Sequence, residues 1–234
     1  MIQCGRELRS IGGSSQSLEE ASQKVADFLH EDLTLQPHPH ADRASVLTRL
    51  FVTRFYSELN EDQKAAARNK LNGDLPVKDF NCLTLIASRG EEPSWNDATQ
   101  SQNHKAIPLV NADAVNKLPM VASLLKQLGV EVQDIIKPKT EILLDPDKRQ
   151  SYGVFLVPDA LGSPAIPRQE DFVKPYNIKS VIGFGGRLIP GHLFSIILFT
   201  RCEISRERAD LFRTLALNTR VALLPLLQTQ SVSK

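Results

Sequence analysis

Two short apolar runs near the C-terminal end, 180–184 (SVIGF) and 193–199 (LFSIILF), flank a glycine-rich connection, 185–191, that contains Pro190. Apolar and β-branched residues in short runs with a turn between them read as a hairpin, and a hairpin makes its strands antiparallel. The glycines invite comparison with a phosphate-binding loop. Such a loop opens a helix and is usually followed by Lys and Ser or Thr. Here Arg187-Leu188-Ile189-Pro190 and then a strand follow, so the glycines read as turn or bulge residues.

The hairpin leads into a helix expected over 205–224. Ser205 is its cap, Glu207 lies in the first turn, and Ala209, Phe212, Leu215, Ala216 and Val221 line its apolar side. Pro225 is expected to end or bend it. Upstream, 82–88 and 152–157 read as strands, 106–110 as a short strand, and 142–144 as a further strand segment. A helix opens at Leu118-Pro119 and stops at Gly129, and a helical turn is expected over 168–173.

At the N-terminal end, 1–16 reads as a flexible lead-in. Ser17 then caps a helix running to about Asp32, with Leu18, Ala21, Val25, Phe28 and Leu29 on one stripe. A second helix is expected over 42–59, from the spacing of Leu47, Leu50, Phe51, Phe55 and Leu59. A third is expected over 61–71, ended by Asn72-Gly73. Helices at both ends with strands gathered between them give an α+β fold, a mainly antiparallel sheet flanked by N- and C-terminal helices. One domain over 17–226 follows, with 227–234 as a tail or junction to an output domain.

Composition narrows the function classes. The chain has 234 residues, 28 basic and 27 acidic, a balance that argues against a dedicated nucleic-acid surface. No apolar run is long enough to cross a membrane and no signal peptide opens the chain, so a cytoplasmic protein is expected. Cys4, Cys82 and Cys202 are too widely spaced for a disulfide framework or a metal knuckle. His38 and His40 alternate in a proline-broken loop without the further ligands a metal requires. No cofactor, metal or catalytic residue is assigned.

Two long polar connections remain, and ligand sites favour long loops carried on a sheet. In 89–105, Trp95 offers a stacking face, Arg89 or His104 can hold an anion, and Asn96 lies beside them. In the connection 159–175, Asp159, Ser163 and Phe172 are the next candidates.

The stretch 153–226 resembles the second half of a GAF domain. It reads GVFLVPDALGSP, then DFVKPYNIKSVIGFGGRLIPGHLFSIILFTRCEISRERADLFRTLALNTRVALLPL. Residues 177–183 match the entry into a strand of that fold, 192–199 the return strand, and 209–224 the terminal helix. The segments SRGEEPSWNDATQSQNHKAIPLV and LPMVASLLKQLG resemble the GAF-related module of bacterial multidomain sensor kinases and nucleotide cyclases. The chain is longer than usual GAF domains, which places extra helical structure in 1–60.

The resemblance implies a non-catalytic sensor of a small molecule or partner. Both long loops would cover one face of the sheet. The terminal helices would form a homodimer and pass ligand occupancy to a downstream signalling domain. Two alternatives stand beside it, a small GAF-type enzyme such as a thiol-dependent reductase and a dimerisation scaffold without a ligand. Neither long loop offers a cysteine, and no Cys-His dipeptide occurs, which speaks against reductase and bilin-binding relatives.

Overall fold

The computed structural model describes residues 1–33, 43–101, 104–136, 152–188 and 192–232, with side chains of the final helix through 227. The loop of His38 and His40, the strand expected over 142–144 and the turn at Pro190 lie outside the described residues. The strands are β1 (Ser45–Phe55), β2 (Asn81–Gly90), β3 (Ala106–Pro108), β4 (Tyr152–Val157), β5 (Ser180–Arg187) and β6 (Leu193–Thr200). They form one sheet in the order β3-β2-β1-β6-β5-β4, and every pairing is antiparallel. With helices flanking this sheet the fold is α+β.

Alternation along the strands divides the interior into two layers. On β6, Leu193, Ile197 and Phe199 join one apolar cluster while Phe194, Ile196 and Leu198 join the other. On β1, Leu47 and Phe51 fall on the first side, Leu50 and Val52 on the second. Both faces are therefore covered, which explains why β6 is almost wholly apolar and β1 carries apolar residues on both of its sides.

One face carries the chain ends, α1 (Ile2–Gly13) and α2 (Leu18–Asp32). The Ser17 side chain accepts from the Glu20 backbone N–H, and Glu19 and Glu20 occupy the first turn of α2, as the sequence predicts. α1 corrects the reading of 1–16 as a lead-in. Leu8 is fully buried, and Gly5 and Gly12 let this helix approach the last one closely. A Cβ on Gly12 would stand 2.6 Å from the Ala222 Cα. With so few large apolar residues, α1 owes its order to tertiary packing more than to its own stripe.

β1 replaces the helix expected over 42–59. Leu47, Leu50, Phe51 and Phe55 do recur at helical spacing, but Val46, Thr48, Val52 and Thr53 are strand formers. Pairing to β2 and β6 on both sides leaves no room for a helix. α3 (Glu61–Lys70) follows as predicted, opened by a reciprocal Asn60–Gln63 capping box.

The opposite face holds three short helices, α4 (Ala112–Asn116), α5 (Pro119–Gln127) and α6 (Val132–Ile136), and a π-helical turn, Gln169–Val173. Gly129 ends the α5 turn with φ +70°. The glycines of β5 do not serve the turn expected of them. None has a positive φ among the described residues, and a Cβ on Gly185 would stand 2.2 Å from the Phe194 carbonyl oxygen. They permit close backbone approach within the sheet.

The C-terminal helix is two helices, α7 (Arg206–Asp210), capped by Ser205, and α8 (Arg213–Val232). Pro225 lies inside α8, which does not end there but continues through Val232.

Candidate functional site

A cavity of about 200 Å³ lies on the face of the sheet away from the chain ends. Its floor is the alternate set Leu47, Arg49 and Phe51 on β1, with Leu83 on β2 and Ile197 and Phe199 on β6. Met120, Val121 and Leu124 on α5 form one wall. Trp95 and His104 from the first long connection, with Ile166, Arg168 and Phe172 from the second, complete it. Strand periodicity puts Arg49 here: residues 47, 49 and 51 share a face, so a guanidinium enters an otherwise apolar floor.

The two connections meet through aromatic rings. Trp95 packs against Phe172 with ring centroids 5.5 Å apart and against Tyr176 at 4.8 Å. Phe172 reaches down to Phe199 of the floor at 5.0 Å. Polar contacts close the same seam. The Tyr176 hydroxyl donates to Glu92 at 2.8 Å, and the Arg201 guanidinium donates through both terminal nitrogens to the Glu91 carboxylate. Gly90 makes room for this arrangement, because a Cβ there would stand 2.8 Å from the Trp95 ring.

Charge at the cavity has one sign. Arg49, Lys70 and Arg168 line it, and no carboxylate does among the described residues. Arg49 Nη1 lies 3.1 Å from His104 Nδ1. A guanidinium only donates, so this Nδ1 is the acceptor and the ring carries its hydrogen on Nε2. Burial, with Arg49, Lys70 and Arg168 nearby, pushes the His104 pKa down to about 3, which keeps the ring neutral. Burial and Arg168 also lower Arg49 to about 10. Arg168 has its own carboxylate, donating from Nε to Asp171 at 2.9 Å. Arg49 has no such partner among the described residues, and its buried Nε has no acceptor.

Three of the residues singled out from the sequence, Trp95, His104 and Phe172, come together here. The other four do not line this cavity. Arg89 sits on the sheet face covered by α2, 2.9 Å from Glu31 and 3.6 Å from Asp27 of that helix. Asn96 serves the local turn, its side-chain oxygen accepting from the Gly90 N–H at 2.8 Å. Asp159 borders a separate polar depression with Lys179 and Glu203. The Ser163 hydroxyl accepts from the Ala165 N–H at 3.3 Å. Sequence reasoning passed over Arg49, Lys70, Arg168 and the α5 wall. A strand reading of SVLTRLF would have exposed Arg49 as a charge on an apolar face.

Elsewhere, burial pushes the Cys82 thiol up to about 12 and raises Cys202 as well. Among the described residues no three His, Cys, Asp or Glu side chains gather as metal ligands. None of the described helices is long and apolar enough to cross a membrane. No protein-family model matches the chain, and no curated protein matches it.

Proposed function

We propose that the protein is a GAF-like regulatory module that binds a small molecule in the cavity beneath Trp95 and Phe172. The observation that carries this reading is the cavity's place: an apolar hollow under two clasped loops, on the sheet face opposite α1, α2 and α8. Floor residues and helix-packed residues alternate along the same strands, so ligand occupancy at Phe51 or Ile197 is mechanically joined to Leu50 or Ile196 beneath the helices. A downstream signalling domain would receive the change through α8.

Cytoplasmic location and a bacterial signalling context belong to this reading. So does a homodimer through the terminal helices. Leu217 and Val221, one helical turn apart on α8, are 46% and 50% exposed, which supports that seam. Sedimentation should then show a dimer in wild type and a monomer in Val221→Asp; a wild-type monomer at all concentrations removes the dimer from the account. The raised thiol pKa values of Cys82 and Cys202 favour binding over thiol catalysis.

A thermal-melt screen with neutral, cationic and anionic small molecules tests the reading. Compounds that raise the melting temperature of wild type should lose that effect in Met120→Trp, which fills the hollow with an indole. A screen without hits, or hits indifferent to the substitution, would count against it.

A further inference from the structure

Resting on that reading, we infer that the cavity takes an organic carboxylate with a single aryl ring or short alkyl chain. Its carboxylate sits on Arg49 and its apolar body lies between Trp95, Phe172, Met120 and Leu124.

The charge balance argues for the head group. Arg49 is half-buried and its Nε is fully buried without an acceptor among the described residues, so a paired anion would compensate a charge partly removed from water. Asp171 supplies that anion to Arg168, and among the described residues no carboxylate lines the hollow to supply it to Arg49. The flanking His104 is neutral and takes none of the charge, while Lys70 at the mouth adds to the positive field. An arriving carboxylate completes a planar fork with the guanidinium and restores the missing pairing.

Size and lining argue for the body. An apolar protein cavity of about 150 Å³ holds benzene. The 200 Å³ here leaves room for one ring and a carboxyl group. Trp95 and Phe172 offer ring faces, and Met120 and Leu124 offer aliphatic contact.

Trp95 is the single tryptophan of the chain and lines the site, so its fluorescence reports occupancy. The titration uses phenylacetate, hexanoate, the neutral phenylacetamide and phenyl phosphate, with wild type, Arg49→Gln and Arg49→Lys. Phenylacetate should bind about 10- to 100-fold more tightly than phenylacetamide, the range expected of a charge-assisted pair. Arg49→Gln should reduce that preference to near unity, and Arg49→Lys should restore part of it. The wild-type comparison of acid with amide needs no variant, so a misfolded Arg49→Gln leaves the test intact. Equal binding of acid and amide overturns the carboxylate assignment while the cavity remains a binding site. Tighter binding of phenyl phosphate than of phenylacetate overturns it in favour of a phosphate ester. No response to any of the four overturns it as well. The binding-module reading falls with it only when the broad thermal screen is also empty.

Discussion

Arg49 Nη1 lies 3.1 Å from His104 Nδ1, a contact that requires a neutral imidazole beside a charged guanidinium. The pair joins the floor of the sheet to the first loop, and it makes the fold sensitive to acid. The His104 pKa is about 3 in the folded protein against an ordinary value near 6.5, through burial first and neighbouring cations second. His30 is lowered too, also chiefly by burial. Between the two values the unfolded chain binds a proton that the folded chain refuses. Stability is therefore full above about pH 6.5 and falls as pH drops toward 3. Urea midpoints at pH 7.5 and pH 5 should show wild type losing on the order of 1–2 kcal/mol more than His104→Gln. Equal losses would contradict this assignment of the proton.

A buried ion pair tests the packing of the cavity-side layer. Arg187 of β5 and Asp134 of α6 meet at 2.6 Å, with side chains 7% and 13% exposed. Asp134→Ala leaves the arginine charge buried alone and should cost about 3–5 kcal/mol in urea unfolding. The double variant Asp134→Leu/Arg187→Met should recover much of that loss, since the penalty lies in the uncompensated charge.

The clasp between the loops gives a third expectation. Tyr176→Phe removes the hydroxyl that donates to Glu92 and should cost on the order of 1 kcal/mol. Amide exchange should quicken in both connections, 91–105 and 158–179, and stay unchanged in α2. Acceleration confined to one connection would mean that the loops move independently.

The chain-end layer is tested at Gly12. Valine there drives a Cβ into the Ala222 backbone, which cannot yield as a side chain would. Gly12→Val should cost about 1–3 kcal/mol. It should also release amide protection throughout α1, leaving β5 and β6 protected. Unchanged exchange in α1 would show that it does not depend on this contact.

Much of the fold was legible because it rests on local chemistry. Ser17 and Ser205 each cap the helix they precede, and YGVFLV and LFSIILF are strands where the residues suggest strands. The errors fall where tertiary context decides. Leu47, Leu50, Phe51 and Phe55 satisfy a helical stripe and a two-sided strand equally, and only the neighbours β2 and β6 settle the matter. α1 hides because Gly5 and Gly12 set its close approach to α8 and Leu8 is its one large buried apolar side chain. The site followed the same logic. Trp95, His104 and Phe172 announced themselves as unusual residues in long polar connections. Arg49 lay inside a segment assigned to the wrong period, and with it went the cavity floor. Arg89, by contrast, was attractive as an anion-holding charge in the long connection, but it lies within β2 and pairs with Glu31 and Asp27 of α2.

Native mass spectrometry of freshly purified wild type beside Met120→Trp tests the central claim, that the hollow beneath Trp95 and Phe172 holds a small molecule. The account predicts a reproducible added mass of one small organic acid on wild type and none on the variant. No added mass on wild type, or the same added mass on both proteins, would contradict it.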